Sequence, residues 1–249
     1  MIFHIPHSST DIPDEYRPLF FIDNDQLATE LLLMTDHFTD ELFLPSVTEN
    51  DSFIKFPVSR LLVDPERFPD DDQEEMSKVG MGAIYRLTNN GKSLKDDQSK
   101  REELLSRYFT PHHQDLTAQV SSSLELTNGA LIVDCHSFPR SPLPYELDQS
   151  PTRPQICIGV DEFHTPDYLT DTLVTFFSET GLTVGINAPF TGSIVPLDYY
   201  RSEQKVRSIM IEVRRDSYMD ESTGEKSSSF SHMQSLIQAA TSLLRAKIA

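Results

Sequence analysis

The sequence predicts an α/β fold in which a mostly parallel central sheet carries helices on both faces. Strand-like and helix-like segments alternate along the 249 residues. Two of the strand-like segments, ALIVDC and QICIGV, are apolar throughout, as is typical of strands that lie in the middle of a parallel sheet. Alternation of this kind favours helices layered on both sides of the sheet. No repeat or linker divides the sequence, so we expect a single domain over residues 1–249.

The first half of the chain contains a strand, a helix, an extended segment and a long loop. MIFHI is a short apolar run and predicts the first strand. IDNDQLATELLLMTDHFTDELF follows the helical period and predicts one helix, capped by Asp23 or Asn24. SFIKFPVSRLLVD indicates extended chain that Pro57 interrupts. Residues 64–96 are rich in acidic and turn-forming residues, which indicates a long irregular loop.

The second half alternates helices and strands more regularly. DDQSKREELLSRYFTPHHQDLTAQVSSSLEL is helical in period, and Pro111 either kinks this helix or begins a second one with Thr110 as its N-cap. The strands ALIVDC and QICIGV follow, and PDYLTDTLVTFFSETG predicts a helix that ends at Gly181. LTVGINAPF and VRSIMIEVRRD are further predicted strands, separated by a turn-rich loop, and SSFSHMQSLIQAATSLLRAKIA predicts the closing helix.

The composition limits the possible partners of this protein. With 21 Lys and Arg against 39 Asp and Glu, the formal net charge is −18. Such an acidic surface repels nucleic acid and anionic membranes, and no apolar run is long enough to span a bilayer. The segment MIFHIPHSS lacks the basic start of a signal peptide, so we expect a soluble, cytoplasmic protein. An anionic substrate would require a local cluster of arginines.

The two cysteines, Cys135 and Cys157, both lie in apolar runs. We therefore expect buried free thiols rather than a disulfide. They are too few and too isolated for a zinc site built from cysteine.

Ionisable residues stand at the ends of several predicted strands. His7 follows the first strand, Asp134 and His136 end a central one, and Glu212 lies late in another. In α/β sheets, ligands bind outside the carboxyl ends of the strands. The intervening predicted helix carries further candidate ligands, namely Asp36, His37, Asp40 and Glu41. Two histidines and a carboxylate at neighbouring strand ends would suit a catalytic zinc ion, which takes imidazole and carboxylate ligands and keeps one position for water.

Hydrolysis at such a centre needs two further groups. A bound metal lowers the pKa of water to about 7, and a carboxylate that is not a ligand accepts the proton of that water and passes it to the leaving nitrogen. Glu212 lies within the apolar run IMIEVR, where an unpaired carboxylate is costly. We expect it to be this base, although a structural ion pair with an arginine is the alternative.

Five segments, in this order along the chain, resemble the N-formylglutamate amidohydrolase (deformylase) family. They are IPHSS, TDHFTDELF, VSRLLVDPERFPDD, DCHSFP and IEVRRDSYMDE, and the resemblance that they mark extends over most of the chain. The family is similar in fold and site plan to zinc carboxypeptidases and zinc muramoyl-alanine amidases. The resemblance implies a zinc-carboxypeptidase-like (phosphorylase/hydrolase-like) fold.

The resemblance also implies an activity, a metal and a ligand set. The activity is zinc-dependent cleavage of a small, anionic N-acyl amino acid, N-formyl-L-glutamate, to formate and L-glutamate. The implied ligands of Zn²⁺ are His7, Asp36 and His136, with His37 and Asp40 as rivals of Asp36. Iron or cobalt would accept the same ligands. Glu212 is implied as general acid and base.

Several arginines are candidates for holding the substrate. Arg60 and Arg67 lie in the arginine segment of the family and would bind a substrate carboxylate, although both flank Asp64 and could pair with it instead. Arg140, four residues beyond His136, could stabilise the oxyanion or anchor the substrate. Arg214 shares a strand face with Glu212, so it could pair with that carboxylate or reach the site.

Two departures from the family pattern bear on the substrate. Ser9 stands where the family has a glycine, and Glu66 stands where it has an asparagine, which adds a negative charge near the expected carboxylate-binding site. One alternative is a carboxypeptidase-like enzyme or muramoyl-peptide amidase with a larger substrate. The two departures add another, a relative that has lost catalysis and binds an acidic metabolite or a protein partner.

The remaining histidines have lesser expected roles. His4 is assigned to packing, because the strand period turns it away from His7. Asp134 could orient His136 or lie close to the metal. His112 and His113 are candidates for the rim of the site. The other two histidines, His164 and His232, are expected at the surface.

Overall fold

The computed structural model describes residues 1–96 and 98–248, and six strands in this range form one sheet. The strands are β1 (Ile2–Ile5), β2 (Ser52–Lys55), β3 (Ala130–Phe138), β4 (Ile156–Gly159), β5 (Val184–Ile186) and β6 (Val206–Arg214). Their order across the sheet is β2-β1-β3-β6-β4-β5. The first four of these are parallel to one another, whereas β4 pairs antiparallel with β6 and parallel with β5. The predicted mostly parallel sheet is confirmed, with two reversed strands at one edge.

Helices cover both faces of this sheet, as predicted. The α-helices are α1 (Asn24–Met34), α2 (Thr39–Phe43), α3 (Arg101–Leu104), α4 (Thr110–Thr127), α5 (Asp167–Glu179) and α6 (Phe230–Ile248). Short 3₁₀ turns lie at Asp14–Leu19, Leu44–Ser46, Glu75–Val79 and Arg215–Ser217. Within the described range, none of the helices combines the length and the apolar character needed to cross a membrane.

The side chains of each strand alternate between two differently covered faces. On one face, residues such as Val133 and Ile211 pack with α2, α5 and α6 in the largest apolar cluster. On the other face, Ile132 and Val206 pack against Leu116 of α4 at the amino ends of the strands. Towards the carboxyl ends this second face becomes ionisable, with His4, Asp134, His136 and Glu212, all buried. The buried ionisable groups of the sheet therefore lie on one face, towards the carboxyl ends of the strands.

The helix predicted before β2 is broken in two, which corrects the expected mid-helix position of Asp36. Asp23 caps α1 through a capping box with Gln26, but α1 ends at Met34. Phe38 then adopts a left-handed conformation, with φ 64°, before α2 begins. The backbone N–H of Asp36 donates to the carbonyl of His7 at 3.0 Å. Because this tertiary hydrogen bond replaces a helical one, Asp36 lies in a link beside the end of β1.

The helix predicted around Pro111 changes its winding immediately before that residue. A π-helical turn at Leu105–Phe109 joins α3 to α4, and Pro111 lies in the first turn of α4. A proline lacks the N–H that a continuous helix would use, and the first turn tolerates this loss. Thr110 is the first helical residue and makes no side-chain cap, so its predicted N-cap role is wrong.

Residues 64–96 are irregular apart from one 3₁₀ turn, which confirms the predicted long loop. Its second half is not a solvated excursion, however, because Met81, Tyr85 and Leu94 are buried in a second apolar cluster. It forms a layer of the molecule that packs beside the carboxyl ends of the strands. Gly80, at φ 80°, turns the chain where an added Cβ would lie 2.4 Å from the side chain of Leu87.

Candidate metal centre

The structure brings together the three residues predicted as metal ligands. His7 follows β1, Asp36 lies in the link between α1 and α2, and His136 lies near the end of β3. Each is buried, and each offers one ligand atom within 4.8 Å of the ligand atoms of the other two. The rings of His7 and His136 have their centroids 5.1 Å apart. Residues up to 129 positions apart in sequence thus converge on one point.

The atoms that face this point suit a divalent metal ion. Oδ2 of Asp36 lies 3.2 Å from Nδ1 of His136 and 3.7 Å from Nδ1 of His7. Nδ1 of His7 is buried and has no hydrogen-bond partner among residues 1–96 and 98–248. A buried polar atom without a partner is rare in a native structure and calls for a specific explanation. Two imidazole nitrogens and one carboxylate oxygen match a zinc site that keeps a fourth position open.

The other nitrogen of each histidine is held by a second carboxylate. Nε2 of His7 lies 2.9 Å from Oδ1 of Asp64, and Nε2 of His136 lies 3.0 Å from Oδ1 of Asp134. Metal-binding histidines usually donate their second N–H to such a group, which fixes the ring and makes the ligand nitrogen more basic. The role of Asp64 was missed from the sequence, although its position between two arginines in SRLLVDPER could have marked it as a buried carboxylate.

Asp36 is held in its charged form by its neighbours. Arg215 Nη2 lies 3.2 Å from Asp36 Oδ1, and Arg60 Nη1 lies 3.8 Å from the same oxygen. Burial alone would raise the pKa of Asp36, but the hydrogen bond with His136, the proximity of His7 and the charge of Arg215 hold it well below the ordinary value. A carboxylate that stays deprotonated is ready to bind a cation.

Arg215 takes the place that strand parity predicted for Arg214. Strand parity placed Arg214 on the face of Glu212, but β6 ends at Arg214 and a 3₁₀ turn begins at Arg215. Alternation of side chains stops there. Arg214 donates instead to Asp216 at 2.7 Å and to the carbonyl of Arg153.

The remaining predicted arginines have different surroundings. Arg60 is buried and donates to Asp64 Oδ2 at 2.9 Å and to the hydroxyl of Tyr85 at 3.1 Å. Arg67 donates to the carbonyl of Glu66, and its buried Nε has no partner in the described part of the chain. The Arg140 side chain is 70% exposed and lies 3.7 Å from Asp216. Within residues 1–96 and 98–248, no hydrogen bond or ion pair joins Arg140 or Arg214 to the three candidate ligands.

Glu212 lies beside the three candidate ligands on the same face of the sheet. It is opposite His136 in the register of β3 and β6, and it is buried. Its Oε2 has no hydrogen-bond partner among the residues that the structure describes. Burial raises the pKa of Glu212 to about 8; the nearby His136 opposes this shift, whereas the carboxylates of Asp36 and Glu66 reinforce it. Such a carboxyl can accept and release a proton near neutral pH.

Glu66 extends the ionisable cluster towards solvent. Its Oε2 lies 3.1 Å from Nε2 of His136 and 3.8 Å from Nδ1 of His7. With 15% of its side chain exposed, it is the most open of the carboxylates in contact with these histidines. It also forms, with His4 and Asp134, a second group whose ligand atoms lie within 4.8 Å of one another.

The rivals of Asp36 are held elsewhere. Nε2 of His37 lies 3.2 Å from the carbonyl of Leu31. The carboxylate of Asp40 accepts from Lys55 Nζ at 2.9 Å. Neither side chain belongs to the group formed by His7, Asp36 and His136, so the geometry favours Asp36 among the three alternatives.

The predictions for the other histidines are largely wrong. His4 does more than pack, because Nδ1 lies 2.9 Å from Asp134 and Nε2 lies 2.8 Å from Nε2 of His112. His112 is buried behind the site rather than at its rim, and His113 Nε2 lies 2.8 Å from the carbonyl of Pro65. His164 is fully buried, since residues 201 and 206 cover it and bond both ring nitrogens.

Two smaller predictions are confirmed. His232 is exposed, as expected. Cys135 and Cys157 are buried free thiols, and Cys157 lies opposite Glu212 in the register of β4 and β6.

Comparison with known proteins agrees with this picture. The family model described as N-formylglutamate amidohydrolase matches residues 1–219. An N-formylglutamate amidohydrolase from Ralstonia eutropha JMP134, known from its crystal structure, superposes with a TM-score of 0.86 at 22% identity, over 99% of this chain and 93% of that one. A gene product from Agrobacterium tumefaciens superposes with a TM-score of 0.67 at 19% identity, over 98% of this chain and 91% of that one. At these identities the two structures show a shared fold. A search of curated proteins found no significant match.

Proposed function

This chain belongs to the N-formylglutamate amidohydrolase family, and on that premise we propose that it is a metal-dependent hydrolase that cleaves N-formyl-L-glutamate to formate and L-glutamate. The observation that carries the proposal is the convergence of His7 Nδ1, Asp36 Oδ2 and His136 Nδ1, together with the absence of a partner for the buried His7 nitrogen in the described residues. A cation is the group that would satisfy all three atoms.

The proposed metal ligands are His7, Asp36 and His136, and the proposed ion is Zn²⁺. When bound, the ion would act as a Lewis acid that polarises the acyl carbonyl and makes water more acidic. Asp64 and Asp134 orient the two imidazoles. Arg215 and Arg60 keep Asp36 ionised.

Glu212 is the proposed general base and general acid. Its Oε2 would take a proton from the attacking water as the water oxygen adds to the formyl carbon. As the C–N bond breaks, the same oxygen would return this proton to the leaving nitrogen. The unpartnered Oε2 and the raised pKa of Glu212, about 8, support a group that holds a proton between these two steps.

Arg67 is the strongest candidate to bind a carboxylate of the substrate. Its buried Nε makes no hydrogen bond within the described chain, so the guanidinium retains a free donor. Arg60 is engaged by Asp64 and Tyr85, and its proposed share in substrate binding would depend on its remaining nitrogen. Arg140 and Arg214 would have to leave Asp216 to act as oxyanion donor and substrate anchor.

Metal analysis and formate release test this proposal together. The protein, purified without added metal, should contain close to one transition-metal ion per chain by atomic spectroscopy. It should release formate from N-formyl-L-glutamate faster than from N-formyl-L-glutamine, because arginine binds the extra carboxylate. Chelation should abolish the activity and Zn²⁺ should restore it. Bound metal without formate release would instead favour a carboxypeptidase-like activity on a larger substrate.

A further inference from the structure

A chain of hydrogen bonds leads from α4 to the proposed ligand His136. His112 of α4 and His4 of β1 meet through their Nε2 atoms at 2.8 Å. Nδ1 of His4 lies 2.9 Å from Oδ1 of Asp134, and the same oxygen lies 3.0 Å from Nε2 of His136. All four side chains are buried. The mechanism proposed above uses neither His4 nor His112.

The direction of these hydrogen bonds follows from their chemistry. A carboxylate only accepts, so both His4 and His136 donate to Oδ1 of Asp134. A His4 ring whose one N–H is the Nδ1–H that donates to Asp134 accepts at Nε2, and Nε2–H of His112 is then the donor. Burial, reinforced by the neighbouring rings of His4 and His113, lowers the pKa of His112 to about 2, so this ring is neutral.

Asp134 is fixed from a third side as well. Its Oδ2 accepts from the backbone N–H of Ile194 at 3.1 Å. The carboxylate therefore cannot turn away from His136 without breaking bonds to β1, through His4, or to the loop before β6, through Ile194.

We propose that His4 and His112 are positioning residues of the metal centre, which hold Asp134 so that Nδ1 of His136 points at His7 and Asp36. This inference rests on the proposed metal site. The N–H acceptor of a metal-binding histidine sets the orientation of its ring, and its loss typically weakens metal binding by about 10- to 100-fold. Without His4, the partly exposed Glu66, whose Oε2 lies 3.1 Å from His136 Nε2, becomes a competing acceptor.

A second metal ion is the alternative use of these residues. His4, Glu66 and Asp134 lie close enough to hold one. Both ring nitrogens of His4 are already engaged, however, by His112 and by Asp134. The first group contains the unpartnered Nδ1 of His7, whereas no buried side-chain atom of His4, Glu66 or Asp134 lacks a partner in the described residues, so the contacts favour the positioning role.

Paired substitutions can test each link separately. His4→Phe removes both hydrogen bonds, whereas His4→Asn keeps an amide N–H near the position of Nδ1 and therefore the link to Asp134. His112→Phe removes the donor to His4, whereas His112→Gln keeps an N–H near the position of Nε2. His164→Gln is the matched control, because His164 is another fully buried histidine with both nitrogens bonded, to Val206 and Arg201, outside this chain of bonds.

The measurements are the Zn²⁺ dissociation constant, from competition with a chromophoric chelator, the number of ions bound, and the visible spectrum of the Co²⁺-loaded protein. We expect His4→Phe to weaken Zn²⁺ binding by about 10- to 100-fold and to alter the Co²⁺ spectrum, with His4→Asn restoring most of the affinity. His112→Phe should also weaken Zn²⁺ binding, but by a smaller factor, and His112→Gln should restore the affinity. His164→Gln should lower thermal stability and leave both metal readouts unchanged.

The outcomes separate this inference from the proposed function. Wild-type protein that binds no metal would contradict the proposed function itself. Wild-type protein that binds one ion, with unchanged affinity in both Phe variants, would overturn only the positioning role. Two ions per chain, with one lost in His4→Phe, would overturn it in favour of a second metal site. If His4→Phe does not fold, the comparison of His112→Phe with His112→Gln carries the same test.

Discussion

The two faces of the central sheet are built from alternate residues of the same strands, yet they bury different kinds of side chain. On the face under α2, α5 and α6, apolar residues such as Val133 and Ile209 fill the middle of the strands, and Cys135 and Val213 continue the apolar cluster towards the carboxyl ends. On the opposite face, apolar residues such as Ile132 and Val206 give way to Asp134, His136 and Glu212 towards the carboxyl ends.

This difference separates the source of stability from the source of chemistry. Burying apolar surface stabilises a fold at every position, whereas burying an ionisable group costs several kcal/mol unless it is paired. The ionisable half of the second face is paired in most places, but His7 Nδ1 and Glu212 Oε2 lack partners in the described chain. Buried polar atoms without a partner are rare in native structures, and both of these atoms belong to residues of the proposed site.

Removing a proposed metal ligand from the ionisable half of this face should cause the largest loss of activity. We expect His136→Gln to lower kcat/KM for formate release by roughly 10³-fold or more, which is about 4 kcal/mol in the transition state, because the metal would no longer be held. Metal content and formate release check this, with circular dichroism to show that the apolar face still folds. Retention of both metal and activity would rule out His136 as a ligand.

Glu212→Gln, on the same ionisable half of this face, should abolish proton transfer and leave metal binding intact. The amide preserves the shape of the side chain but cannot accept a proton, so kcat should fall by about 10²- to 10⁴-fold. The bound metal should remain. An active Glu212→Gln enzyme would show that another group handles the proton.

Ile209→Ala should lower stability and leave the metal site and catalysis intact, because Ile209 lies on the same strand as Glu212 but on the apolar face. It is fully buried, and its truncation should lower the free energy of unfolding by about 2 to 5 kcal/mol. Urea denaturation measures this loss. Metal content and kcat/KM, assayed where the variant is still folded, should match the wild type, and a lost metal site would contradict the division between the faces.

Asp51 belongs to an ion cluster at the amino ends of β1 and β2, away from the proposed site, and it is paired with two positive charges. It accepts from the amino group of Met1 at 2.9 Å and from Arg245 of α6 at 2.6 Å. Burial alone would raise the pKa of Asp51, but Arg245, Met1 and Thr48 lower it to about 2. The folded state therefore gains stability above pH 4, and this gain disappears as the pH falls towards 2.

Asp51→Asn should consequently lower the free energy of unfolding by about 1 to 2 kcal/mol at pH 7. The difference in unfolding free energy between wild type and variant should shrink between pH 4 and pH 2. A difference that stays constant over this range would show that the charge of Asp51 is not what stabilises the edge. Activity should be unaffected.

Glu66→Gln should have the smallest effect on activity, and this effect tests whether Glu66 contributes to substrate selection. Glu66 is the partly exposed carboxylate of the cluster, so its charge should repel an anionic substrate by about 1 kcal/mol. We expect the variant, saturated with metal, to gain about fivefold in kcat/KM for N-formyl-L-glutamate, which has two carboxylates, relative to N-formyl-L-alanine, which has one. An unchanged ratio of the two substrates would remove Glu66 from substrate selection.

Much of this organisation could be predicted from local sequence. The apolar runs ALIVDC and QICIGV became β3 and β4, and the period-2 alternation explains why His136 and Asp134 share a face. The strand ends also located His7 and Glu212 near the site. These features depend on residues within a few positions of one another, which is why pattern and propensity suffice to predict them.

Local pattern failed where distant chain segments compete with it. The helical period runs through Asp36, but the hydrogen bond from its N–H to His7 breaks the helix there. Strand parity favoured Arg214, but β6 ends one residue before Arg215, which reaches Asp36. Neither boundary has a local signal, because each depends on a partner more than 25 residues away.

The sequence by itself determined the α/β class, the strands and the kinds of ionisable residue at their ends. Only the tertiary structure decided that Asp64 holds His7, that His112 reaches Asp134 through His4, and that Nδ1 of His7 is left without a partner in the described chain. The physical reason is that parallel strands bring together residues far apart in sequence, so the identity of each partner depends on strand order and register rather than on any neighbouring residue.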